Sequence, residues 1–369
     1  MKNNKIIAIT AIAIILIAGI AGAFILAQNE DSDGNTLTDM RGRKVTIPDT
    51  IDSIIGFSSC SLELISFFSA VNNVTYLDTN ENFNDGGRTH SFAMKSKLQN
   101  LPRVDPNNHE AVASTGADLI IASTIEVSAL NNNQEKYGIP VFAINADLEF
   151  GPEFDKQIEL LGKLFNEENR AKEITSGIKE LIDSIQNNVP DVSDLSGYAC
   201  GMNFYGSGSI SFLKTSGDYL PFIYSKITNI SIPNTNEPGK QPYVTADHER
   251  VLNEKPDFIF IDDVGVSSCI AYINSNKALF ETYNVSAVVN GDIYKTLTYK
   301  SWGTNWQNQL INIYYVAKVI HGDVLVWEFE DKADKILQLF YPNEVASGEL
   351  SYEKLANAQT NGGCSKVSL

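Results

Sequence analysis

The sequence predicts an α/β protein of two Rossmann-like lobes joined by one long backbone α-helix, with a ligand cleft between the lobes. Three observations carry that expectation. Short continuous apolar runs alternate with segments of helical period, as in parallel sheets covered on both faces. A long amphipathic stretch over 152–190 divides the chain. Residues 109–123 (HEAVASTGADLIIAS) align without gaps on 248–262 (HERVLNEKPDFIFID), sharing His109/His248, Glu110/Glu249, Val112/Val251, Asp118/Asp257 and Ile120/Ile259 at one helix-turn-strand position in each half. A length of 369 residues, 43% of them hydrophobic, suits two globular domains. The net charge of −17 excludes general nucleic-acid binding, which needs clustered cations to neutralise phosphates.

The elements follow in order. Lys2 and Lys5 precede an apolar run over 6–27, and Glu30, Asp31 and Asp33 follow it. At about 1.5 Å per residue that run is roughly 33 Å long, enough to cross a hydrocarbon core, with the basic flank inside. Residues 1–27 are therefore expected to anchor the chain in the membrane, with a signal peptide cut after Ala27 as the competing reading. Residues 28–36 form a tether, and everything beyond is exported.

The first lobe covers 37–150. Alternating segments around Arg41-Gly42 predict a hairpin, and strands are expected at 53–57, 74–77, 119–122 and 140–144, with a helical period over 62–71. Pro152 can open a helix and Pro190 cannot continue one, so 151–190 reads as a single linking helix of roughly 54 Å, with a break near Asn166-Glu167-Glu168-Asn169 as the alternative. The second lobe, 191–325, carries strands at 198–202 and 258–261 and a closing helix at 305–320. Residues 326–369 are a helical extension whose last part, 359–369, is expected to be loosely ordered.

Four segments then matter together: LTDMRGRKVTIP before the first strand, PNNHEAVASTGADLIIAS, YVTADHERVLNEKPDFIFID and SWGTNWQNQLINIYYVAKVIHGD. In this order, with a long helix between the halves, they resemble the substrate-binding proteins of ABC importers for ferric siderophores, haem and cobalamin. The resemblance covers roughly 37–324. It implies a receptor outside the cytoplasm, not an enzyme, that captures a small-molecule metal chelate and delivers it to an ABC permease and its ATPase. It also implies that Glu110 and Glu249 dock onto the permease, one from each lobe. A first-turn glutamate is favoured by its helix dipole in any case.

In open α/β sheets ligands sit beyond the carboxyl ends of the strands. The candidate ligand-binding residues are therefore Ser58 and Ser59 after the first strand, Arg88 in the loop after the second, and Arg103. In the second lobe they are Tyr205 and Ser207 in NFYGSGS, and Tyr299, Lys300, Trp302 and Asn305 in YKSWGTNW. The chain has only six arginines, and a guanidinium suits the carboxylates, hydroxamates or catecholates of a ferric chelate, or an oxyanion. Tyr205, Tyr299, Trp302 and Trp306 offer flat apolar faces to a chelator or macrocycle, while Trp306 equally fits core packing.

No resident cofactor or metal is expected. His109 and His248 belong to different lobes, and only His90 and His321 accompany them. Cys60 reads as a buried, inert side chain, and pairing of Cys200 with Cys269 stays open. The preferred cargo is an iron complex of the ferric siderophore type. Cobalamin, haem, and molybdate or tungstate are alternatives on the same fold. A chelatase-like enzyme would need a general base and metal ligands in the cleft. A sensor that does not transport is the remaining alternative.

Overall fold

A computed structural model describes residues 35–369 apart from 59, 85, 125, 193, 204–208, 232–242 and 323. The apolar run over 6–27 lies outside the described residues. Among these, no helix is long and apolar enough to cross a membrane.

The chain opens with the expected hairpin, β1 (Thr36–Thr38) antiparallel to β2 (Lys44–Thr46), turning through Gly42 at φ 76°. Asp39 holds it together, accepting the N–H groups of Arg41 and Arg43 at 2.9 and 3.0 Å, and ties it to the first sheet through the Ala143 N–H at 3.2 Å. The hairpin thereby covers a sheet edge that would otherwise offer unpaired backbone groups.

That first sheet is wholly parallel, in the order β5-β4-β3-β6-β7, built from β3 (Ile54–Phe57), β4 (Val74–Asp78), β5 (Arg103–Val104), β6 (Leu119–Ala122) and β7 (Val141–Ala143). Every residue of β3, β6 and β7 is buried, as expected for strands covered on both faces.

The second sheet repeats the plan in the order β10-β8-β12-β13-β14. Its parallel part is β10 (Thr228–Asn229), β8 (Ser196–Cys200), β12 (Phe258–Asp262) and β13 (Ile293–Thr296). The fifth strand, β14 (Ser365–Lys366), runs antiparallel on the β13 edge. A side ribbon pairs β9 (Lys214–Ser216) with β11 (Tyr243–Thr245).

The linking segment corrects the expectation of one helix. It is two, Pro152–Phe165 and Glu168–Asn188, broken where Asn166 takes the left-handed conformation at φ 56°. The break has a tertiary cause. The Glu167 carboxylate accepts the N–H groups of Ser69 and Ala70, both at 3.1 Å, and the Ser69 hydroxyl at 2.8 Å. That carboxylate caps a short 3-10 helix of the first lobe. The two helices then pack so tightly that a Cβ on Gly162 would lie 2.6 Å from that of Ala171. The connecting strut is the second helix, 21 residues and roughly 32 Å.

The tail is likewise better ordered than expected. After the closing helix (Trp306–His321), the chain forms Phe329–Phe340, a short turn of helix and Tyr352–Ala358, then crosses to add β14 to the second sheet. One apolar cluster spans both lobes, the strut and this extension, joining Phe67, Phe154, Trp306 and Phe340. Phe67 meets Phe340 at 4.8 Å and Tyr341 at 5.9 Å between ring centroids. Trp306 belongs to this core: it is fully buried, and its Nε1–H donates to the Leu148 carbonyl at 2.8 Å.

Candidate functional site

The carboxyl ends of the two sheets face one another, and the segment after β13 is fastened to loops of the first lobe. The Thr304 N–H donates to the Ala146 carbonyl at 3.0 Å, and the Cys60 thiol donates to the Thr304 carbonyl at 3.5 Å. The Lys300 ammonium lies 3.7 Å from Asp147 and 3.4 Å from Glu149, both in the loop after β7. Burial raises the Glu149 pKa, against the pull of Lys300.

Between these anchors the loop is closed on itself, with a bridge from Lys300 to Thr304 and the Ser301 N–H on the Gly303 carbonyl at 3.0 Å. Trp302 sits at its tip with φ 57° and its surface 69% exposed. A left-handed non-glycine residue costs on the order of 1–2 kcal/mol, and Trp302 is kept there by a loop pinned on both sides. An indole held out into solvent by a strained, anchored loop is available for contact with a guest.

The remaining candidates divide. Ser58 is exposed, and its left-handed backbone (φ 68°) lets its N–H reach the Asp78 carboxylate at 3.0 Å. Arg103 is exposed and donates from one guanidinium nitrogen to the carbonyls of Asp78 and Glu81, at 3.1 and 2.6 Å. Ser59, Tyr205 and Ser207 lie outside the described residues.

Tyr299, Lys300 and Asn305 are corrections, because all three are buried in structural roles, Lys300 in its pairing with Asp147 and Glu149. The Tyr299 ring packs on Tyr219 at 4.9 Å, and its hydroxyl accepts the Leu220 N–H at 3.3 Å at the start of the helix Leu220–Ser225. Asn305 donates to the carbonyls of Gly87 and Thr298, at 3.3 and 3.2 Å, stitching one lobe to the other.

Arg88 is not a freely presented cation either. It is buried, with its guanidinium 3.3 Å from Glu81 and donating to the Asn82 carbonyl at 3.2 Å. It belongs to a charged network that the sequence reading missed. His90 lies between two carboxylates, its Nδ1 3.7 Å from Glu63 and its Nε2 3.5 Å from Glu81. Burial pushes the Glu63 carboxyl up to about 7, against the pull of His90. Burial also opposes ionisation of Glu81, yet the hydrogen bond and charge of His90, with Arg88, bring it down to about 2. One signal for Glu63 was readable: it is the lone charge in the helix SLELIS, all of which is buried.

Two further buried groups frame the site. Asp262 ends β12 and accepts the N–H groups of Tyr299 at 2.7 Å and Val264 at 3.3 Å, while burial pushes its pKa up to about 8. Cys60 is buried and burial raises its thiol well above the usual range, so it does not present a thiolate. Cys200 and Cys269 are free thiols.

The internal repeat is visible in three dimensions. Glu110 and Glu249 are both exposed in the first turns of His109–Ala113 and His248–Glu254. Each helix is capped from the preceding position, Asn108 accepting the Ala111 N–H and Asp247 the Glu249 N–H. The adjacent histidines pack on aromatic rings, His109 on Tyr137 at 5.6 Å and His248 on Phe280 at 5.9 Å. Among the described residues no group of three or more His, Cys, Asp and Glu side chains is disposed to hold a metal ion. A concavity of about 660 Å³, lined by Thr36, Pro48, Asn73 and Glu167, lies beside the amino ends of β3 and β4, away from this junction.

Comparison with known proteins agrees with this geometry. The family model described as periplasmic binding protein matches residues 71–298. Among solved structures, the chain resembles the molybdate-binding protein MolA of Haemophilus influenzae with molybdate bound. Identity is 16% and the TM-score 0.62, covering 84% of this chain and 98% of that one. CeuE of Helicobacter pylori in a Ni–His complex gives 17% and 0.62, covering 85% and 97%. The TroA-like protein FepB of Veillonella parvula gives 18% and 0.58, covering 84% and 96%. No curated protein matches the chain.

Proposed function

The chain belongs to the periplasmic binding protein family, and from that premise we propose that it captures an iron complex of the ferric siderophore type outside the cytoplasm and delivers it to an ABC permease. The supporting observation is the pairing of two sheets, parallel but for β14, whose carboxyl-end loops meet, with the exposed Trp302 indole in a loop of the second lobe and the exposed Arg103 guanidinium in the first. An indole face suits the apolar body of a chelator, and a guanidinium its carboxylate, hydroxamate or catecholate oxygens. Ser58 adds a polar contact, and Tyr205 and Ser207 are proposed as further ones, whereas the buried Lys300, paired with Asp147 and Glu149, braces the Trp302 loop. In this reading Glu110 and Glu249 mark the two ends of the permease-docking face. Two like-charged points on separate lobes set orientation more than bulk affinity.

The test is a tryptophan-fluorescence titration with ferric hydroxamate and catecholate chelates, cobalamin, haem, molybdate, tungstate and nickel–histidine. Trp302 is the exposed indole, whereas Trp306 is fully buried and Trp327 half-buried. Saturable binding of a ferric chelate, weakened about tenfold in Trp302→Ala, is the expected result, a factor corresponding to about 1.4 kcal/mol. Saturation by another cargo, with ferric chelates inert, overturns the iron assignment and names the replacement.

A further inference from the structure

The carboxy-terminal extension does more than lengthen the second lobe. Leaving the closing helix, it crosses to the first lobe, where Phe340 and Tyr341 pack on Phe67 and Glu349 accepts the Ser96 hydroxyl at 3.1 Å. It then runs along the loop after β4. Gln359, itself buried, donates its side-chain amide to the Gly86 carbonyl, and a Cβ on Gly86 would run into the Ala358 carbonyl oxygen. Two residues on, the chain has returned to the second lobe. The Asn361 N–H donates to the Asp263 carboxylate at 3.0 Å, its side-chain amide donates to the Asp263 carbonyl at 2.6 Å, and its own carbonyl accepts from Lys295. The path ends in β14, with the Val367 N–H on the Ile293 carbonyl at 2.8 Å.

The two segments clasped in this way are the loops at the carboxyl ends of β4 and β12. The first contains Arg88. The second directly follows Asp262, whose carboxylate holds the Tyr299 N–H at the base of the Trp302 loop. We propose that Gln359 and Asn361 are positioning residues of the ligand cleft: a carboxy-terminal clasp from Gln359 to Asn361 fixes the separation of the two cleft loops, so that a guest meets a preset site. A loop already ordered before binding loses less freedom when the guest arrives, which favours a slow release rate. The inference rests on reading this junction as the ligand cleft.

The test uses the full chain without ligand first. Amide hydrogen exchange is compared for the chain, Gln359→Ala, Asn361→Asp, and Asn361→Asp combined with Asp263→Asn. Gln359→Ala removes one hydrogen bond without adding charge, and Asn361→Asp sets a carboxylate against Asp263. The expected result is exchange at least tenfold faster in 78–88 and 263–265, unchanged in β3, β6 and β12, and partly restored by the double variant. Unaltered exchange in both loops, or a uniform rise that includes the central strands, overturns the clasp. A ferric tris-catecholate chelate is then the probe for release: a dissociation rate raised more than the association rate supports positioning, and equal changes overturn it. If neither that probe nor a ferric hydroxamate chelate binds, the iron assignment fails while the exchange result still decides the clasp.

Discussion

Where the first lobe turns its strand ends toward the junction it presents a network of mutually paired buried charges, and where the second does so it presents amides, ring faces and the buried groups Asp262, Asp263 and Lys300, each bound to partners of its own. On the first side, Glu63, Glu81, Arg88 and His90 contact one another at 3.3–3.7 Å. On the second, Asn305 and Asn308 donate to the Gly87 and Thr298 carbonyls, and Tyr299 lies on Tyr219. The same fold has thus been finished at its functional edge in two ways. Buried charge is unforgiving, since each partner removed leaves another unpaired, whereas a neutral amide leaves behind a smaller deficit. The first lobe should therefore respond more to single substitutions at its paired charges, while both lobes respond to pH, the first through Glu63 and the second through Asp262.

The largest effect is expected from Arg88→Ala. It leaves the Glu81 carboxylate with His90, the Asn82 N–H and the Ser91 hydroxyl but without its guanidinium, and breaking a buried pair in this way costs about 3 kcal/mol. Denaturant unfolding should show that loss, while Asn308→Ala in the second lobe should cost about half as much or less. Equal losses would erase the contrast between the lobes.

Glu63 gives the next effect and sharpens its electrostatic side. Its folded pKa of about 7 lies above the ordinary carboxylate value, so the native state holds a proton that the unfolded chain has released. Stability contributed by that proton is full below about pH 4.5 and lost as pH rises through about 7, on the order of 3 kcal/mol across the window. Glu63→Gln should flatten that fall in chemical denaturation measured from pH 5 to 8. An unchanged slope would show that Glu63 is not the titrating group. Glu81 acts oppositely, since its stabilisation is present above about pH 4.5 and lost as pH falls toward 2.

The smallest effect on stability is predicted where the lobes are most alike. Glu110→Ala with Glu249→Ala changes two exposed side chains and should alter stability by about 0.5 kcal/mol or less. Ligand binding should persist while uptake in cells is lost. Uptake at the normal rate would remove these glutamates from the docking face.

Much of this plan was readable beforehand. The strands at 54–57, 119–122 and 141–143 announce themselves as apolar runs, and the 109/248 echo marks equivalent capped helices. The hidden features are those whose cause is distant in sequence. A break near 166–169 stands as the alternative to one long helix, but the partner that fixes it, Ser69 bound by Glu167, lies 98 residues away. Tyr299 and Asn305 occupy the strand-end loop where ligand residues belong, but alternation alone does not say which of its side chains turn inward. Arg88 looked available because its partners arrive from different elements, Glu81 from earlier in its own loop and His90 from the helix Thr89–Ala93. The tail's polar composition gave no hint that an antiparallel edge was waiting for it on β13.

The packing of Phe67 against Phe340 and Tyr341 also sets an order of events. A chain that emerges amino end first brings out Phe67 long before the segment that covers it, and the bond from Gln359 to Gly86 spans 273 residues. The first lobe can assemble its strands early, yet its apolar face stays open until Phe340 and Tyr341 have appeared. Such distant closures are slow and leave sticky surface exposed in the interim. Completion of the first lobe thus waits on the segment that carries Phe340, Tyr341 and Gln359.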